Sequence, residues 1–224
     1  MANTTDVDIV VARYSEDVDW LGDLAHHCII YNKWHPATLE DEYKYKRVVQ
    51  LPNVGRESHT YLYHIVENYD NLAPVTVFTQ ARIEDHFEGQ WTPQNGCEFL
   101  WSLGKQAALY GQSQNAQMYS QLGGMSAIPL FNLRAYYARG LQKTAYDNLG
   151  QWFTALTGHD IPCQGVPWYK NALFAVKRDR IHQHPRSFYE TLMQEVNNAV
   201  NPEAGHYFER TWYMIFSTRT GRII

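Results

Sequence analysis

A chain of 224 residues with 45% hydrophobic and 19% charged side chains is long enough to bury a sizeable core, and that composition excludes a disordered segment. A formal net charge of -4 without any dense Lys/Arg cluster excludes a broad duplex nucleic-acid interface, which needs a basic face to neutralise phosphates. No apolar run approaches the ~18 residues of a membrane span.

The opening residues 1–6 are polar and acidic, unlike a signal peptide. Cys28, Cys97 and Cys163 form no CxxC pair, so they predict reduced, buried thiols and not a disulfide or zinc framework. A cytoplasmic location is expected. Residues 8–13 form a β-branched run that reads as a buried strand. Residues 17–25 predict a short helix with Asp17 as N-cap and Trp20, Leu21 and Leu24 on one face. Residues 28–31 predict a second strand and 46–51 a marginal third. After the turn chemistry of Pro52, Asn53 and Gly55, residues 56–69 predict a strong helix, with Tyr61, Leu62, Ile65 and Val66 on its apolar face. Residues 74–80 make the clearest strand. This βαβαβ rhythm predicts an α/β fold, a mostly parallel central sheet with helices on both faces.

Beyond residue 80 the pattern weakens. Residues 104–124, rich in Gln, Ser, Asn, Gly and Tyr, predict an irregular excursion or lid. Residues 133–156 predict a helix with a break near Gly140, residues 171–176 a late strand, and 185–200 a helix with Phe188, Leu192, Val196 and Val200 on one stripe and Pro185 in its first turn. Residues 211–216 close the apolar pattern. No repeat or linker is visible, so a single domain over residues 1–224 is expected.

In an open parallel sheet, ligands bind at the carboxyl ends of the strands. The candidate binding residues are therefore Ala12, Arg13, Tyr14 and Asp17, then Asn32 and Lys33, then Asn53, Gly55, Arg56 and Glu57, then Gln80, which opens the strand-end stretch 80–86. Arg13, Lys33 and Arg56 would converge as three cations, suited to a diphosphate at a helix N-terminus. The same charges would also serve as solvated surface groups. Glu84, Asp85 and His86 place two carboxylates and an imidazole within three positions. A hard divalent cation such as Mn or Mg takes such ligands, so Asp85 and His86 are candidate metal ligands and Asp85 a candidate catalytic residue. Glu209 would act as general base on an acceptor hydroxyl, or pair with Arg210 or Arg178 as support. The pairs His26–His27 and His182/His184 cannot face one way on a helix and read as exposed or capping groups. The 16 Tyr and 7 Trp suit either a ring-rich core or carbohydrate binding. No GxSxG, HExxH, GxxxxGK[ST] or GxGxxG is present, which removes the main support for serine hydrolase, zincin, P-loop and dinucleotide-binding readings.

Residues 51–62, from Leu51-Pro52-Asn53-Val54-Gly55-Arg56-Glu57, continue through 64–72 and the strand 75–80. Together with the opening 10–21, Phe174-Ala175-Val176, Arg180-Ile181, Pro185 and the ending Glu209-Arg210-Thr211-Trp212, they resemble a family of fungal, bacterial and viral proteins of unknown function. Similar sequences occur as capsid-glycan glycosyltransferase domains of algal viruses (chloroviruses). The layout also resembles GT-A glycosyltransferases. That resemblance implies transfer of a sugar from a nucleotide-diphosphate sugar, UDP-sugar favoured, to a carbohydrate acceptor, with a nucleotide-binding half near residues 1–90 and an acceptor half near 91–224. It departs from the GT-A pattern at Phe78-Thr79-Gln80-Ala81-Arg82, which stands where Asp-x-Asp would bind the metal. The rival readings are a non-catalytic nucleotide-sugar or glycan-binding module of the same fold and a metal-dependent hydrolase acting on a phosphate ester.

Overall fold

The computed structural model describes residues 7–35, 39, 41–119, 128–133, 140–163 and 165–217. The first β-branched run is strand β1 (Val7–Arg13), and its alternating side chains must find cover on two faces. It pairs in parallel with β2 (Cys28–Asn32) on one side. Beyond β2 lies β3 (Arg47–Gln50), also parallel. On its other side β1 pairs in parallel with β4 (Val75–Gln80), reached from β3 through helix α1 (Arg56–Glu67).

Helix α2 (Pro93–Tyr110), a two-stranded ribbon of β5 (Gln117–Tyr119) and β6 (Val166–Trp168), and helix α3 (Leu149–Thr157) follow in the chain's second half. Strand β7 (Phe174–Lys177) then adds antiparallel to β4, giving the order β3-β2-β1-β4-β7. Helices α4 (Arg178–Ile181), α5 (Arg186–Gln194) and α6 (Glu203–Ser217) complete the described chain.

The period-2 alternation of the strands splits the core in two. Ile9, Val11, Ile30, Val77 and Ala175 point to a face covered by α2 and by residues 19–27. Val10, Ile29, Tyr31, Phe78 and Phe174 point to the opposite face, covered by α1, α3, α5 and α6. The expected cover on both faces is therefore observed. The second face is where most of the aromatic residues go: Tyr61, Tyr169, Phe174, Phe208, Trp212 and Phe216 are fully buried, with Tyr169 stacked on Phe174 at 4.9 Å and Trp212 on Phe216 at 5.8 Å. Each fully buried ring of this kind stabilises by roughly 1.5–3 kcal/mol. Glu203 is buried at the start of α6, and its carboxylate is satisfied by Leu133 N, Thr144 N and Tyr207 Oη at 2.9–3.2 Å. Among the described residues, no helix is long and apolar enough to cross a membrane.

Several elements differ from the sequence expectation, each for a local reason. Residues 19–27 form 3-10 turns and not an α-helix, because Gly22 adopts φ 44, ψ -123 and breaks the ladder. Asp17 still accepts from Asp19 N at 2.8 Å, two residues on. Helix α1 ends at Glu67, and Tyr69–Asn71 forms a separate 3-10 turn. The expected excursion at 104–124 begins inside α2. That helix is capped by Thr92, whose hydroxyl accepts from Asn95 N at 3.1 Å, and is ended by left-handed Gly111; residues 120–124 lie outside the described chain. The helix expected over 133–156 is only α3, which starts where Asn148 caps Gln151 N at 2.9 Å, and residues 134–139 of that span lie outside the described chain. Strand β7 begins at Phe174, because residues 170–172 turn with Asn171 and Ala172 at positive φ. Helix α5 stops at Gln194, with Pro185 at its N-cap and not in its first turn; Val196 stays buried but Val200 is 58% exposed. Residues 211–216 belong to α6.

Candidate functional site

The connection from β1 runs outward to β2, while that from β3 returns across β1 to β4, so the sheet order reverses beside β1. A topological switch point of this kind opens a crevice at the carboxyl ends of the strands. A cavity of about 220 Å³ lies there, lined by Ala12, Arg13, Tyr14, Glu16, Lys33, Asn53, Arg56, Glu57, Gln80, Arg82 and Val200. Of the expected binding residues, Asp17, Asn32 and Gly55 do not line it.

Each strand end contributes differently. Arg13 is buried where β1 stops; its Nε donates to Glu16 O at 2.8 Å and its Nη1 to Asn32 Oδ1 at 2.7 Å. Asn32 therefore acts from behind, joining the ends of β1 and β2. Lys33 is also buried, and its Nζ donates to Val54 O at 2.6 Å and to Arg56 O. Burial lowers its pKa to about 7, partly offset by the Glu57 carboxylate. Its ammonium is spent chiefly on loop carbonyls, so Lys33 shapes the cavity wall as much as it charges it. Those carbonyls belong to a left-handed turn, with Gly55 at φ 62 and Arg56 at φ 49. A Cβ on Gly55 would sit 2.1 Å from Val196 O, which is why only glycine fits. The turn leaves the start of α1 without a side-chain cap beside the cavity, where the helix dipole favours an anion.

Arg56 is exposed; its Nη1 lies 3.2 Å from His206 Nε2, and its Nε lies 3.6 Å from Glu57 Oε2. Burial, then Arg56 and Arg210, hold His206 down to about 4, so it is neutral and can accept from Arg56. Gln80 Nε2 donates to Asn171 O at 2.9 Å. On the other side of that residue, Asn171 N donates to Glu209 Oε1 at 3.3 Å, and Arg210 Nη1 donates to Glu209 Oε2 at 3.4 Å. Burial raises the Glu209 pKa, against the lowering effect of Arg210. Glu209 thus stands one residue behind Gln80, next to the cavity and not in its lining, and it interacts with Arg210 and not with Arg178.

Asp85 and His86 lie on a 3-10 turn (Glu84–His86) after β4, and neither lines the cavity. His86 Nδ1 and Asp85 Oδ1 are 3.4 Å apart, and burial lowers the His86 pKa. Among the described residues, no group of three His, Cys, Asp or Glu side chains could hold a metal ion. At the cavity itself the lining carboxylates are those of Glu16 and Glu57. Glu16 and Val200 were not foreseen as lining residues, while Arg82 falls in the strand-end stretch 80–86. Arg82 carried a legible signal, two positions after Gln80 on the same alternation, and it pairs with Glu84 at 2.9 Å. His206 carried none, because 150 residues separate it from Arg56.

The chain belongs to the family described as "Protein of unknown function (DUF3431)", whose model matches residues 9–222. No curated protein and no solved structure matches it.

Proposed function

We propose that the protein is a glycosyltransferase related to the GT-A class, moving a sugar from a nucleotide-diphosphate sugar, UDP-sugar favoured, to a carbohydrate acceptor. The observation that carries this reading is the cavity at the switch point, where Arg13, Lys33, Arg56 and Arg82 meet beside the uncapped start of α1. Charge grows on the diphosphate as the bond to the sugar breaks, and preorganised cations stabilise that charge more in the transition state than in the ground state. The diphosphate would lie across Arg56 and Arg82. The sugar would then extend over Gln80 toward Asn171 and Glu209, and a deprotonated Glu209 would take the proton of the acceptor hydroxyl if the reaction inverts configuration. A retaining reaction removes that role. Asp85 and His86 do not line the cavity, and the side chains proposed to act on the substrate are Arg56, Arg82, Gln80 and Glu209. The free thiols of Cys28, Cys97 and Cys163 accord with a reducing, cytoplasmic setting for this reaction.

A non-catalytic module that binds nucleotide sugars or glycans is the second reading. The engagement of both Glu209 oxygens by Asn171 and Arg210 favours it.

Calorimetric titration with UDP, GDP and UDP-glucose, each with and without manganese, tests the proposal. Micromolar binding of one nucleotide is expected, and R56A should weaken it about tenfold, the loss of one charge-assisted contact. Binding followed by no turnover of any nucleotide sugar would favour the second reading. No binding at millimolar concentration would remove the first reading and leave, of the second, only a module that binds glycans.

A further inference from the structure

We propose that Trp34 and Tyr14 form a stacking platform for the nucleobase of the bound nucleotide; the assignment rests on the nucleotide-sugar reading above and extends it to a residue outside the cavity lining. Trp34 follows Lys33 directly at the end of β2, and Tyr14 follows Arg13 at the end of β1. Their ring centroids are 4.6 Å apart with planes inclined at 59°. Trp34 is 44% exposed and Tyr14 36%. Two aromatic rings left in water at the mouth of a charged cavity forgo the burial that most rings of this chain obtain.

The rings stand on a fixed base. The Trp34 carbonyl accepts from Gln50 Nε2 at 2.7 Å and from Asn32 Nδ2 at 3.3 Å, and Trp34 N donates to Asn32 Oδ1 at 3.4 Å. Asn32 is itself held by Arg13. Tyr14 N donates to Glu16 Oε2 at 2.7 Å. These bonds hold the backbone beneath both rings, which lowers the entropic cost of stacking on them.

The two ends of the cavity differ in chemistry, and that difference orients the ligand. Toward β4 lie Gln80, the Asn171 backbone and Glu209, groups that can bind hydroxyls and move a proton. Toward β2 lie the two rings. A ligand whose diphosphate rests on the central cations therefore places its sugar toward β4 and its planar, aromatic end on Trp34. Stacking engages the ring face, which every nucleobase offers, so the ligand class is a nucleoside diphosphate and the platform supplies affinity more than base identity.

Calorimetric titration of wild type, W34A and W34F with UDP and with inorganic pyrophosphate tests this. W34A is expected to weaken UDP about tenfold or more while pyrophosphate binds as in wild type, and W34F should recover most of the UDP affinity. Retained pyrophosphate binding also shows that the variant cavity is folded. UDP binding unchanged in W34A, or UDP and pyrophosphate weakened by the same factor, overturns the platform and leaves the diphosphate site standing. A wild-type protein that binds neither ligand overturns the nucleotide reading together with it.

Discussion

Replacing Gly55 by alanine tests whether the cavity wall is as tightly determined as its geometry indicates. Gly55 has φ 62 and ψ 16, a conformation that costs an alanine about 1–2 kcal/mol. The added methyl would also sit 2.1 Å from Val196 O, 2.6 Å from His59 Cβ and 2.8 Å from Val196 Cβ. The nearest of these is backbone and the others belong to buried side chains, so relief requires the segment after α5 to move against α1. Overpacking of this type costs roughly 1–3 kcal/mol, and the total for G55A is then about 2–5 kcal/mol. Gly158 provides the matched control. It closes α3 at φ 74, ψ 9, and a Cβ there meets nothing within 4 Å. G158A should carry only the backbone cost of about 1–2 kcal/mol. Urea unfolding of the two variants, compared at constant m-value, measures the difference. Because Arg56 and Glu57 follow Gly55 directly, G55A should also weaken UDP binding while G158A leaves it unchanged. If G55A is no less stable than G158A, the contact between the α1 turn and Val196 is slack, and it does not fix the cations of the cavity.

Two further outcomes follow from titration. Burial and the Lys33 charge hold His59 down to about 4, while burial with Arg47 and Lys46 holds His64 down to about 3. Both folded values lie below the unfolded value of about 6.5, so the unfolded chain binds protons first on acidification. Stability is complete above pH 6.5 and is lost as pH falls toward 4 and then 3, by about 2 kcal/mol per histidine at pH 5. Urea midpoints at pH 7 and pH 5 check this, and an unchanged midpoint contradicts the buried neutral pair. For Glu209, E209Q keeps the side-chain shape and removes the base, so transfer should fall about 10²–10⁴-fold with UDP affinity retained. Since burial raises the Glu209 pKa, the acid limb of the wild-type rate should lie above the ordinary glutamate range of about 4.3. Normal transfer by E209Q refutes the base assignment.

What could be read from the sequence, and what could not, divides along a physical line. Strands β1, β2 and β4 and helix α1 were legible because each carries its own signal, while β3 was only marginal: β-branched runs at β1, β2 and β4, a 3.6-residue apolar stripe at Tyr61, Leu62 and Ile65, and turn chemistry at Pro52 to Gly55. Those local signals also fix which residues stand at the strand ends, and so most of the cavity lining followed from them. Helix α2 was hidden because its inner face uses Gly96, Gly104 and Ala107 beside Leu100 and Leu103, side chains too small to register as an apolar stripe. Gly96 is small for a tertiary reason, since a Cβ there would lie 2.5 Å from the Trp91 ring. The same limit governs the site. That Lys33 would turn its ammonium to the Val54 and Arg56 carbonyls, that Glu209 would reach Gln80 through Asn171, and that Arg56 would meet His206 all depend on segments 20 to 150 residues apart. Charge in a strand-end loop marks where a ligand can bind. Whether a given cation faces that ligand or holds the loop is decided by partners that spacing cannot name, and for Lys33 the partners show that it does the second at least as much as the first.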